Sequence, residues 1–284
     1  MKVALTGASG FVGRFVLQRL LQEDLDISVI SKASFNESSA CVRYIEMDIS
    51  SATSDIFDRL GQPDVLIHLA WSGLPNYFSL HHFESELPKQ YDFLKKMVEG
   101  GLSSMLVVGT CYEYGMHFGP CREDTPPKPN NPYGFAKNAL REQLQFLKLD
   151  RNFELTWCRL FYLYGEGQTH NSLFPSIQQA VANGNRSFSL SHGEQLRDYL
   201  QIEVAADRLV RLALMKRDLG IVNVCSGEPV SIRRQVEQWS REFQWDISFD
   251  YGVREYQDYE PIAFWGDDTK FRNLIREQDS TWSN

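Results

Sequence analysis

No stretch of this sequence is apolar for long enough to cross a bilayer. The apolar run after Met1 is also too short for the core of a signal peptide, so a cytoplasmic location is expected. Cysteine is scarce. Cys41, Cys111, Cys121, Cys158 and Cys225 are odd in number and never spaced C-x-x-C. That pattern excludes a disulfide framework, fits reduced thiols and predicts no metal site. Positive charge is not in surplus: a net charge of −8 argues against nucleic-acid and membrane partners, while leaving room for one local basic pocket. Repeats, low-complexity tracts and flexible linkers are missing as well. What is left, 284 residues with 43% hydrophobic and 23% charged, describes an ordinary globular chain. It is long enough for one large domain, or for a domain plus a smaller lobe.

The N-terminus carries the strongest local pattern. Lys2-Val3-Ala4-Leu5-Thr6 reads as a strand, and Gly7-Ala8-Ser9-Gly10-Phe11-Val12-Gly13 follows with three glycines at three-residue spacing. An amphipathic run to Leu21 then reads as a helix. Strand, tight turn and helix in that order make a cradle for a dinucleotide pyrophosphate, with backbone N–H groups at the positive end of the helix facing the phosphates. A glycine turn without a ligand is the plain alternative.

Further buried strands are expected at Ile27–Ser31, Val42–Met47, Val65–Ala70, Met105–Gly109 and Leu155–Leu160. Helical patterns at Thr53–Leu60, around Gln90–Glu99 and at Asn131–Leu149 alternate with them. Continuous apolar strands separated by helices predict a doubly wound parallel α/β sheet of the Rossmann type. The dinucleotide-binding domain is expected over residues 1–167. Residues 168–284 are expected to be mainly a smaller α/β lobe for substrate lying over the strand ends, with some segments returning to the sheet. That part offers helices at Leu173–Ala182, Val204–Met215 and Ser231–Phe243, short strands at Phe188–Leu190 and Val222–Cys225, and an aperiodic tail over Tyr251–Trp265.

Tyr133 and Lys137 stand four apart at the start of a helical pattern, on one face. A Lys ammonium beside a phenol favours the phenolate, and a Tyr tuned in this way exchanges a proton with a carbonyl oxygen while hydride moves at its carbon. Thr110 follows the fifth strand, where a hydroxyl points into the ligand crevice or simply caps its turn.

Taken together, Thr6–Gly13, Asp48-Ile49, His68-Leu69-Ala70, Thr110–Gly115, Tyr133–Lys137, Arg159–Gly165, Arg197-Asp198-Tyr199 and Asn223–Gly227 resemble the extended short-chain dehydrogenase/reductase family of nucleotide-sugar epimerases, dehydratases and reductases. The resemblance implies Thr110, Tyr133 and Lys137 as the catalytic trio. It implies cofactor contacts from Gly7, Ser9, Gly10, Phe11, Val12, Gly13, Asp48, Ile49, Leu69, Ala70, Tyr133 and Lys137, with Lys137 on the nicotinamide ribose and Asp48 near the adenine. It also implies a nucleoside-diphosphate sugar as substrate and a homodimer formed through helices including Asn131–Leu149.

Dehydratases of this family carry Asp and Glu directly after the Thr. Here Cys111 and Tyr112 stand there and Glu113 comes one position late, so dehydration is not expected. Family reductases that also epimerise use a Cys two residues past the hydroxyl and a distant His, whereas Cys111 is one past and His170 is loosely placed. An NAD site normally offers a carboxylate at the end of the second strand. This strand ends Ile30-Ser31-Lys32, and Arg14 follows the third glycine, so Ser31, Arg14 and Lys32 are expected to hold the 2′-phosphate of NADPH, with NADH as the other carrier.

Arg197 and Arg254 are candidates to clamp the diphosphate, or to pair with acids such as Asp198 or Glu255. Asn171, Ser172 and Phe174, with Cys111 and Tyr112, are candidate sugar or nucleotide contacts. Trp71 borders the sugar or packs the core or a lid. The wording Gly109–Gly115 resembles bacterial reductases of nucleoside-diphosphate 4-keto-6-deoxyhexoses, linked to dTDP or CDP. Reduction of the C4 ketone for O-antigen, lipopolysaccharide, capsule or glycoside synthesis is therefore expected. The alternatives are a 4-epimerase that retains NAD and, from another class, a non-catalytic dinucleotide sensor or scaffold.

Overall fold

Seven strands form one sheet in the computed structural model, which describes residues 1–32, 42–256 and 260–282. From one edge to the other they are Val42–Glu46, Asp26–Ser31, Lys2–Thr6, Val65–His68, Ser104–Thr110, Glu154–Leu160 and Gly220–Val224. The first six of these pair in parallel. Parallel neighbours need crossover helices that cover both faces, and this is why the central strands read as unbroken apolar runs. Val65–His68 and Ser104–Thr110 are buried at every residue. The order steps outward from Lys2–Thr6 in both directions, so the winding reverses beside that strand. Register places Thr6 level with His68 and Ile30, and Thr110 level with Leu160. The carboxyl ends of strands at such a reversal are where an open α/β sheet binds its ligand.

Two compact units make up the chain, one from residues 1–115, 126–160 and 203–222, the other from 116–125, 161–202 and 223–284. In the first, Phe93, Leu94, Met97, Leu140, Leu144 and Trp157 are fully buried within one apolar cluster. The helices Leu87–Gly100 and Pro132–Asp150 supply most of these side chains. In the second, Phe174, Ile177, Leu190, Val236 and Trp239 form a separate cluster, and among the described residues its strands form four two-stranded pairings.

Some expected elements differ. The run expected as a lobe strand at Val222–Cys225 is Gly220–Val224, the edge strand of the main sheet, because a short apolar run looks the same in either sheet. The helix expected over Thr53–Leu60 shrinks to Ile56–Arg59. Beyond the tail lies a helix, Thr269–Trp282, that its sparse apolar residues do not announce. Cys41 lies outside the described residues, and the other four cysteines are buried.

Candidate active site

The glycine turn is built as its spacing predicts. Gly7 has φ +76°, and Gly10 donates its N–H to the Gly7 carbonyl at 3.0 Å. A Cβ on Gly13 would stand 2.0 Å from the Gly7 oxygen, so no other residue fits there. No side chain caps the helix Phe11–Leu20 and no acid sits in its first turn, which leaves the helix end suited to an anion. Ser9 and Gly10 are exposed, and Phe11 and Val12 half-buried, beside it. These residues therefore fit a dinucleotide pyrophosphate.

The second part of the site hangs on the helix Pro132–Asp150. Pro132 occupies its first turn and the Asn131 side chain accepts the Gly134 N–H at 2.8 Å, so the start of the helix is fixed by its cap. Tyr133 and Lys137 then project from one face. A Cβ on Gly134 would lie 2.6 Å from the Tyr112 carbonyl, so the missing side chain lets the loop after Thr110 press against the helix. Thr110, Tyr133 and Lys137 thus come together, all buried.

Their electrostatics differ from the expectation. The Lys137 ammonium donates to the Val108 carbonyl at 2.7 Å and lies 4.1 Å from the centre of the Trp71 ring, but 6.0 Å from that of Tyr133. It serves a carbonyl and an indole face rather than the phenol. Burial, with Tyr77 and Glu113 adding to it, pushes the Tyr133 phenol well above its ordinary range, and the Thr110 hydroxyl only partly opposes this. Burial also brings Lys137 down to about 7 against the pull of Glu113 and Glu86. Burial thus favours the neutral form of the Tyr133 phenol.

Aromatic rings enclose it. Tyr77, Trp71 and Tyr112 have ring centres 5.6, 6.0 and 6.5 Å from that of Tyr133, and His82 stands at 5.2 Å. The Tyr133 N–H donates to the Tyr77 carbonyl at 3.1 Å. Cys111 is buried beside this group. Sequence reasoning missed Tyr77, on an irregular segment, and His82, at the start of the π-helical turn His82–Glu86, because neither follows the α-helical or strand repeat.

Glu113 faces inward. It accepts the Thr110 N–H at 2.8 Å and the Trp157 indole N–H at 3.0 Å, and pairs with Arg159 at 2.7 Å, with both charged side chains fully buried. The acid that stands one position late is thus a cap for its own turn and a counter-charge for a strand arginine. A charge such as Arg159 inside an apolar strand is the signal that could have revealed this pair.

A second buried chain of polar groups runs behind the glycine turn. The Leu69 and Ala70 N–H groups donate to the Thr6 hydroxyl at 3.2 and 3.3 Å, and Thr6 meets His68 Nδ1 at 2.8 Å. His68 Nε2 reaches Gln90 Oε1 at 2.7 Å, and Gln90 Nε2 donates to Glu86 at 2.9 Å. Burial holds His68 neutral, down to about 3. Each link then donates toward the Glu86 carboxylate, which Ser72 and Lys89 hold low at about 2 although burial opposes them.

The cations expected for a 2′-phosphate are arranged differently. Lys32 pairs with Asp48 at 2.8 Å, and Lys89 approaches the same carboxylate at 3.4 Å. Burial works against ionised Asp48, but Lys32 and the bonds from Ser50 hold its carboxyl well below the usual range. Lys32 is thus already engaged. Ser31 is buried, Ile49 is buried next to Asp48, and the Arg14 guanidinium lies 5.0 Å from the centre of the Phe15 ring.

In the second unit, two residues expected to contact substrate lie in packed surroundings. Phe174 packs between Tyr164, Trp239, Phe243 and Trp245 with centroids 5.0–5.5 Å away and is core. Arg197 is buried and donates to the Pro261 carbonyl and to Glu260, both at 2.8 Å, which is the pairing with an acid offered as its alternative role. Arg254 is exposed, with its guanidinium 5.4 Å from the centre of the Phe188 ring. Asn171 is exposed, and Ser172 precedes the helix Leu173–Ala182. Among the described residues no cluster of His, Cys, Asp or Glu is spaced to hold a metal ion, and no helix is long and apolar enough to cross a membrane.

Residues 3–225 match the NAD dependent epimerase/dehydratase family, and the chain belongs to that family. It is an extended short-chain dehydrogenase/reductase and hence an enzyme using a nicotinamide dinucleotide. It is 33% identical to a dTDP-6-deoxy-L-talose 4-dehydrogenase (NAD(+)) of Aggregatibacter actinomycetemcomitans, over 94% of this chain and 99% of that one. Identity to UDP-arabinose 4-epimerase 1 of Arabidopsis thaliana is 24%, over 96% of this chain and 74% of that protein. Among solved structures, a UDP-N-acetylglucosamine 4-epimerase from Methanobrevibacter ruminantium M1 matches with a TM-score of 0.84 at 21% identity, covering 96% of this chain and 90% of that one.

Proposed function

We propose that this enzyme transfers hydride at C4 of a nucleoside-diphosphate 6-deoxyhexose, reducing the 4-ketone to the alcohol for polysaccharide or glycoside synthesis. The observation that carries the reading is the grouping of three buried side chains, the Tyr133 phenol with the Thr110 hydroxyl within reach and the Lys137 amine 6.0 Å from the phenol ring centre. A bound nicotinamide supplies the hydride. Tyr133 delivers the proton to the oxygen at C4, Thr110 steadies that oxygen by donating a hydrogen bond, and Lys137 holds the ribose diol. Glu113, the acid standing one position later than in a dehydratase, is committed to Arg159 and Trp157, and Cys111 offers no exposed base. The dehydrogenase named above acts, by its name, in the opposite direction at C4 of a 6-deoxyhexose, which is the same bond change reversed.

For the carrier we favour NAD(H) over the NADPH expected from Arg14, Ser31 and Lys32. Lys32 is neutralised by Asp48, and the dehydrogenase relative is named for NAD(+). Gly7, Ser9, Gly10, Phe11, Val12 and Gly13 hold the pyrophosphate, Asp48 and Ile49 the adenosine side, and Leu69 and Ala70 line the path to the nicotinamide. The protein works as a homodimer through the helix Pro132–Asp150.

The test is a panel of dTDP-, CDP-, GDP- and UDP-linked 4-keto-6-deoxy sugars with NADH and NADPH, with products assigned by NMR. Turnover with at least one is expected, and none would sink the reading. Tyr133→Phe should lower kcat by roughly 10²–10⁴-fold while leaving dinucleotide binding intact. A second reading, a 4-epimerase, has support from the epimerases among the relatives. Tightly retained NAD in the purified protein together with interconversion of UDP-hexoses would select it.

A further inference from the structure

Lys137 is a buried amine that as an ammonium has three N–H donors, and among the described residues one of them has an acceptor, the Val108 carbonyl at 2.7 Å. The group does not lean on a carboxylate. It rests on the face of Trp71, 4.1 Å from the ring centre, where the negative face of the π system attracts a cation most strongly once water is excluded. Trp71 itself is held in place. Its indole N–H, which can only donate, meets His82 Nδ1 at 3.1 Å, so that nitrogen must accept. His82 Nε2 then carries the proton and donates to the Asn76 carbonyl at 2.8 Å. His82 is fully buried, its ring lies nearly parallel to the indole, and it also packs 5.2 Å from the Tyr133 ring centre. One neutral tautomer of one histidine thus sets the tilt of an indole, and the indole face sets where the ammonium lies.

We propose that Trp71 and His82 form a positioning couple for Lys137, holding its ammonium so that the two remaining N–H donors meet the vicinal hydroxyls of the dinucleotide ribose. The proposal rests on the dinucleotide reading above. Neither residue is assigned a part in the hydride or proton transfer, and both act through Lys137. The couple replaces the carboxylate that would otherwise steady a buried ammonium, and so leaves the donors unspent.

The spectroscopic test reads the side-chain ammonium resonances of the ¹⁵N-lysine-labelled full-length protein without dinucleotide, at a pH below that at which Lys137 titrates. Loss of a signal in Lys137→Met assigns it. An ammonium seated on an indole face is shifted upfield by the ring current, and this shift is expected in the wild type, reduced in Trp71→Phe and His82→Leu, and gone in Trp71→Leu. Dinucleotide Kd, measured by calorimetry, should rise roughly tenfold in Trp71→Leu and stay within about threefold in Trp71→Phe, which keeps a π face. An unshifted Lys137 signal in the wild type overturns the proposal, as does an unchanged Kd in Trp71→Leu. If Trp71→Leu does not fold, the wild-type shift and Trp71→Phe decide the matter alone. Failure of the wild type to bind any dinucleotide would instead overturn the functional reading, because the ring-current shift needs no ligand.

Discussion

His68 is a residue whose charge state the fold dictates. Its ordinary value is 6.5, and burial takes it to about 3, so the folded chain keeps it neutral while an unfolded chain takes up a proton. Between those values the unfolded state binds more protons. The contribution of His68 to stability is therefore complete above about pH 6.5 and declines as the pH falls toward 3, by at most about 1.4 kcal/mol per pH unit. Urea midpoints measured down this range should fall, and His68→Asn should flatten the slope. Equal slopes in the two proteins would show that other groups carry the acid sensitivity. The buried pair Glu113–Arg159 is a residue-scale commitment of another kind. Glu113→Ala leaves Arg159, the Trp157 indole and the Thr110 N–H without their acceptor, and should cost about 3–5 kcal/mol in urea unfolding.

At the scale of the element, the glycine turn makes a graded prediction. A methyl on Gly13 would sit 2.0 Å from a backbone oxygen that cannot move without opening the turn, whereas on Gly10 it would sit 3.3 Å from the same atom. Gly13→Ala should abolish dinucleotide binding and lower stability, while Gly10→Ala should keep the fold and weaken binding more mildly. Calorimetry and a thermal melt of both variants check the ranking, and a reversed order would contradict the geometry. The helix Pro132–Asp150 shows how much one element can hold. Its capping residue, its proline and its Tyr-x-x-x-Lys spacing are local features, and each was readable from residues a few positions apart. The tilt of Lys137 toward Trp71 was not, because it depends on a side chain 66 positions away in sequence.

For the whole molecule, the same helix exposes Phe135, Phe146 and Leu149, the last two at 71% and 85%. Apolar side chains that open, grouped on one helix, suit a partner surface. With the homodimer proposed above, sedimentation should give twice the 32.7 kDa of one chain, and Phe146→Glu with Leu149→Glu should give the single chain. A wild-type monomer would remove that proposal.

The sequence by itself determined most of the sheet, the glycine turn and the shared helix face of Tyr133 and Lys137. Those features follow from apolar runs, from residues that tolerate unusual dihedrals, and from the helical repeat, all of which are local. Only the tertiary structure decided the partners of the charged groups. It gave Lys32 to Asp48, Arg197 to Glu260, Glu113 to Arg159 and Lys137 to an indole, and it sank Phe174 into a core. A buried charge takes whichever counterpart the packing brings within a few ångströms, and that choice is made by residues far apart in the chain.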